Sequence, residues 1–285
     1  MMHDDVTHDP DDRKPCIALM GEFSAGKSTL ANLLLGQDSS PVQVTATQLP
    51  PVWYRLGPPA AQRIAADGAT DPLPLDDWRA ARPENSRMIS VSLEADFLHA
   101  CDLIDMPGTS DPNMVPDFWQ AFLSQTDLVI WCTPANQAWR QSEAALWEQV
   151  PPQLWTKSLL LVTRMDMMQS DRDRARVLAR VRAEAGPLFR EVLPISLPAA
   201  IAGREDEEVL EETGAAALVR FLCAALEGGK ICEVHPTAPA ASGKAAAPPP
   251  PTRYEPETFP GKIVPRRIIR GKEGSPRARR EVRTT

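Results

Sequence analysis

Two hydrophobic periodicities alternate along this chain. Pro15–Met20 is an apolar run without a polar break, as expected of a strand covered on both faces, and Lys27–Leu35 places apolar residues at helical spacing. The same pair of patterns recurs downstream. Strands are predicted at Pro51–Leu56, Met88–Leu93, Ala100–Ile104, Leu128–Cys132, Ser158–Val162 and Val192–Ile195. Helices are predicted at Val115–Gln125, Gln141–Gln149, Asp171–Ala185 and Glu205–Leu226, the last with a break at Gly214. Gln37–Gln48 reads as a polar, irregular loop. Residues 58–87, rich in Pro, Ala and Arg, read as an insertion in which Asp76–Ala81 forms a short helix. Strands alternating with helices indicate an α/β fold, a mostly parallel sheet flanked by helices.

The alternation stops near Gly228, where Ala, Pro, Lys and Arg take over and Pro248–Pro251 run without interruption. Such a segment cannot bury enough apolar surface to offset chain entropy, so residues 228–285 are expected to form a Pro-rich, basic, disordered tail. Residues 1–14 read as a flexible acidic leader, which leaves 15–227 as one domain. Charge divides along the same line. Residues 231–285 carry 11 Lys or Arg against 5 Glu, and the chain's net −7 therefore leaves −13 on residues 1–230. An acidic domain argues against DNA as a partner, whereas a basic tail suits anionic lipid, RNA or an acidic protein. The five cysteines include no Cys-x-x-Cys pair and fit reduced thiols in a cytoplasmic protein, and the four histidines show no zinc spacing. No apolar run approaches the roughly 20 residues of a membrane span, and the acidic N-terminus is unlike a signal peptide.

Candidate chemistry begins at Gly21-Glu22-Phe23-Ser24-Ala25-Gly26-Lys27-Ser28, whose Gly-x-x-x-x-Gly-Lys-Ser spacing falls between the first strand and the first helix. Its glycines let successive N–H groups turn inward at phosphates, and the helix start adds its dipole. Glu22, Ser24, Ala25, Gly26, Lys27, Ser28 and Thr29 are therefore candidate nucleotide contacts, with Lys27 on the β- and γ-phosphates and the Ser28 hydroxyl on Mg²⁺. Four further elements complete the set expected of a GTPase. Asp105-Met106-Pro107-Gly108 closes a strand, where Asp105 can hold Mg²⁺ and the Gly108 N–H can report the γ-phosphate. Thr163-Arg164-Met165-Asp166 follows another strand, and Asp166 can accept two hydrogen bonds from guanine that adenine cannot supply. Arg164 stands where Lys is usual, and its stem can lie along the base. Ser196 stands at the position of a backbone contact to the base. A switch threonine over Mg²⁺ is expected at Thr45 or Thr47, with Thr47 preferred because Thr47-Gln48-Leu49-Pro50 precedes the next strand.

Gly-Glu-Phe-Ser-Ala-Gly-Lys-Ser-Thr-Leu at 21–30, Asp105-Met-Pro-Gly and Thr163-Arg-Met-Asp together resemble the bacterial dynamin-like GTPases. Thr126–Trp131 with Ala135–Ala138 resembles the strand and loop that these proteins place before the guanine motif, so the resemblance spans about residues 15–226. It implies a P-loop GTPase domain that binds GTP, GDP and Mg²⁺ and hydrolyses GTP at a low intrinsic rate. Ser24, Lys27 and Thr47 would be its catalytic residues, and Ser28, Thr47 and Asp105 its metal ligands. Ser24 matches a serine that helps bind a monovalent cation in dynamins, although Pro41–Thr47 lacks the glycine expected in that cation site. Thr109 replaces a Ras-like glutamine. About sixty residues follow the domain in place of a long helical stalk, so the resemblance implies self-association through the GTPase domain or a longer dynamin-like partner. Two other readings stay open: a GTP-dependent interaction module without turnover, and a ribosome- or tRNA-associated GTPase. Gly261–Arg270 is a basic-apolar segment suited to peripheral contact with the inner face of a membrane or with a protein groove.

Overall fold

The computed structural model describes residues 13–36, 50–75, 86–109 and 116–226, all within the compact unit formed by residues 1–235. Thr45, Thr47, the expected helix at Asp76–Ala81, nearly all of the leader and the tail lie outside these residues.

The unbroken apolar run near the N-terminus forms β1 (Cys16–Gly21), buried at every position because it lies near the middle of the sheet. Beyond it lie β2 (Val52–Leu56), β3 (Ala60–Ile64), β4 (Thr70–Leu73), β5 (Met88–Leu93), β6 (Asp102–Asp105), β7 (Leu128–Pro134), β8 (Leu159–Thr163) and β9 (Glu191–Pro194). Among the described residues these form one sheet in the order β4-β3-β5-β2-β6-β1-β7-β8-β9. The half formed by β6, β1, β7, β8 and β9 is parallel throughout. β2 turns antiparallel against β6 and parallel against β5.

Alternate side chains of β1 point to opposite faces and so seed two cores. Ile17 and Leu19 join Leu30 of α1 (Lys27–Leu35) and Leu218 and Phe221 of α9 (Ala215–Leu226). Cys16, Ala18 and Met20 join Trp119 of α3 (Pro116–Leu123), Trp147 of α4 (Gln141–Trp147) and Val181 of α6 (Asp171–Ala185). Trp131, Trp139, Trp147 and Phe189 meet edge-on or stacked within the second core, so the tryptophans around α4 serve packing.

Local differences from the sequence-based expectation have local causes. The stretch read as an insertion contains β3 and β4, a hairpin that extends the sheet through the pairing of β3 with β5. Pro72 is accommodated there because β4 is an edge strand. The strand expected from Ala100 begins at Asp102, because α2 (Phe97–Ala100) takes the preceding turn. Two short helices, α5 (Pro152–Trp155) and α7 (Leu197–Ala202), begin with a proline in the first turn but are too brief to show periodicity. The expected break divides α8 (Glu207–Thr213) from α9, with Gly214 left-handed at φ 86° and a Cβ there blocked by the Pro194 carbonyl.

Candidate functional site

The parallel half of the sheet delivers its strand ends to one side, as ligand sites in such folds require. β1 ends at Gly21, whose φ of 136° and close approach to the Cys132 carbonyl leave no room for a Cβ. The loop then turns through Ser24 (φ 57°) and Gly26 (φ 96°) before α1 starts at Lys27. Lys27 is 7% exposed, and its Nζ donates to the carbonyls of Gly21 (3.0 Å) and Glu22 (2.8 Å). Burial pulls its pKa down, while the negative charges of Asp105 and Glu22 act the other way. A buried ammonium held by two loop carbonyls suits an incoming anion.

Ser28 and Asp105 come from separate elements and meet: Ser28 Oγ donates to Asp105 Oδ2 at 2.8 Å. Two hard oxygen donors at the end of a phosphate loop fit Mg²⁺, for which Ser28 and Asp105 would be the ligands. Gly108 packs over the loop so tightly that a Cβ would lie 2.8 Å from Phe23 Cα. Thr109 N–H donates to Gly21 O at 3.2 Å, which fastens the chain after Asp105 to the start of the phosphate loop.

The segment after β8 is tied to the same loop. Thr163 Oγ1 donates to Ala25 O at 2.7 Å, and Arg164 Nη2 donates to Ser24 O at 2.6 Å. Arg164 takes a left-handed φ of 58°, after which Asp166 lies exposed on the short turn Met165–Met167. Leu197 approaches Gly26, so the turn into α7 also borders the loop. Ser196 N–H donates to Thr213 O at 2.9 Å, so a backbone donor to a base at this turn must come from beyond Ser196. Thr29 lies in the first turn of α1.

Two features had no counterpart in the sequence reading. Glu22, a candidate nucleotide contact, turns its carboxylate to Ser142 Oγ (2.8 Å) and Arg140 Nη1 (3.4 Å). Beneath them Glu143, 1% exposed, accepts from Trp131 Nε1, Thr133 Oγ1 and the Arg140 N–H, each at 3.0 Å. Burial pushes the Glu143 carboxyl up, and these three bonds act to lower it. A glutamate three residues past a helix boundary was a readable capping signal, but nothing in the sequence linked that helix to Glu22.

Fold and site together define a P-loop GTPase domain. The sequence model of the dynamin family matches residues 17–163, and the chain belongs to that family. Over 104 residues it is 34% identical to the isoniazid-induced protein IniC of Mycobacterium tuberculosis, covering 33% of this chain and 21% of IniC. Over 217 residues it is 24% identical to dynamin-like protein 2 of Campylobacter jejuni, covering 74% of this chain and 35% of that protein. It superposes with a TM-score of 0.57 and 19% identity on an oligomerised bacterial dynamin pair described as sensing and tethering membranes, covering 74% of this chain and 34% of that one. The chain thus spans about a fifth to a third of the lengths of these relatives. Among the described residues no helix is long and apolar enough to cross a membrane.

Proposed function

We propose that this domain binds GTP and hydrolyses it to GDP and phosphate, acting as a dynamin-like switch stimulated by dimerisation or by a longer dynamin-like partner. The observation that carries the reading is the attachment of Thr163 and Arg164 to the phosphate loop. It supports treating the proposed guanine-reading segment and the phosphate loop as two walls of one pocket. Lys27 would leave its loop carbonyls for the β- and γ-phosphates, the loop N–H groups would hold the β-phosphate, and Asp166 would accept from the guanine edge. Mg²⁺ held by Ser28 and Asp105, with Thr47 as the switch ligand, would neutralise phosphate charge. Catalysis would then be positional and electrostatic, and Ser24 would help hold a monovalent cation near the phosphates.

The likeness to an oligomerised dynamin pair supports self-association or a longer partner, with work in the cytoplasm or at the inner face of a membrane. Phosphate release from GTP, measured over a range of protein concentrations with K⁺ or Na⁺, tests the proposal. Turnover that rises more than linearly with concentration, and that Lys27→Ala abolishes, is expected. Tight GTP binding without turnover under any of these conditions would replace the switch with a binding module.

A further inference from the structure

Glu22 places an anionic side chain inside a loop built to receive phosphates, and that charge needs an explanation. Its side chain is 17% exposed, and the carboxylate turns to the start of α4, where Ser142 and Arg140 hold it. Arg140 itself is fixed from below. Its N–H donates to Glu143 Oε2, and the preceding Trp139, held left-handed at φ 57°, donates its N–H to Thr133 Oγ1. Thr133 also offers its carbonyl to Thr163 Oγ1 at 3.4 Å, so the support of Arg140 reaches the guanine-reading wall. The Arg140 side chain stays 44% exposed.

We propose that Arg140 is a positioning residue that sets nucleotide affinity by neutralising Glu22 beside the phosphate loop. The inference rests on the guanine-nucleotide reading of the pocket. With Arg140 in place, the Glu22 carboxylate is balanced and turned aside, and the loop presents its N–H groups and Lys27 to the phosphates. Without it, an unbalanced carboxylate repels the phosphates and holds the Lys27 ammonium more strongly. GTP carries one more negative charge than GDP, so it suffers more.

The test is equilibrium titration of the full chain with fluorescent GDP and a fluorescent non-hydrolysable GTP analogue. Arg140→Ala is expected to weaken the GTP analogue by about tenfold and GDP by less, the scale of one unbalanced charge at intermediate effective dielectric. Arg140→Lys keeps the charge and should stay within about threefold of the parent. Glu22→Gln with Arg140→Ala should return to the affinity of Glu22→Gln alone, because the charge that needed balancing is gone. Raising salt from about 0.05 M to 0.5 M should shrink the Arg140→Ala defect. A brace with no electrostatic role predicts the opposite, a double variant as weak as Arg140→Ala and no response to salt. That outcome, or Arg140→Ala binding as tightly as the parent, overturns the inference. A parent chain that binds neither nucleotide overturns the reading of the pocket as well.

Discussion

Glu143→Ala probes the polar network that supports the phosphate side of the domain. The carboxylate accepts from Trp131 Nε1 and Thr133 Oγ1 in the buried interior and from the Arg140 N–H at its part-buried edge. Its removal strands two donors that cannot rotate away, the indole N–H and the backbone N–H, while the Thr133 hydroxyl can turn. Each stranded buried donor costs about 1–3 kcal/mol, and the lost side-chain volume adds to this, so a destabilisation of about 3–5 kcal/mol is expected. That is a large share of the roughly 5–15 kcal/mol typical of a folded domain. Urea unfolding followed by tryptophan fluorescence reads it, because Trp131, Trp139 and Trp147 pack around the site. Glu143→Gln keeps the volume but must point its NH₂ at a donor, and should fall between parent and Ala. Burial holds the folded carboxyl above its ordinary value, so its titration contributes stability that is complete below the unfolded pKa and is lost as pH rises through the folded one. Glu143→Gln should flatten that part of the stability profile. A loss below about 1 kcal/mol for Glu143→Ala would refute the reasoning.

Three further outcomes follow from the same geometry. Gly21→Ala should unfold the domain or abolish nucleotide binding, since its Cβ would meet the Cys132 carbonyl in a conformation that side chains avoid; a soluble variant with unchanged melting would contradict this. Asp166→Asn should weaken GTP by about 10²-fold or more while leaving inorganic triphosphate binding unchanged, as competition titration would show. In folded protein at pH 8, iodoacetamide should label Cys223 and spare Cys101 and Cys132, because burial pushes both of those thiols up to about 12; mass mapping of the modified residues decides it.

The parallel core was legible because its strands are short apolar runs closed by motifs. Helix α1 was read from Lys27 to Leu35 and helix α6 from Asp171 to Ala185, as the structure has them. The β3–β4 hairpin was not legible, since Ala60–Ile64 and Thr70–Leu73 have little β-propensity and owe their conformation to pairing with β5. Spacing brought out Lys27, Ser28, Asp105 and Thr163, whose motifs have fixed intervals, and the structure brings these residues into one place. It was silent on Arg140 and Ser142, because their partner Glu22 lies 118 and 120 positions away and only the parallel pairing of β1 with β7 makes them neighbours. The direction of the Glu22 side chain is a tertiary property, set by α4.

The proposed function requires one pocket to read guanine through Asp166 and phosphates through Lys27. Equilibrium binding of fluorescent GTP with Mg²⁺, competed by unlabelled GTP or ATP and repeated with Lys27→Ala, tests it most directly. Displacement by GTP and not by ATP is expected, with binding weaker by about 10²-fold or more in the variant. Equal displacement by ATP, or tight GTP binding by Lys27→Ala, would contradict it.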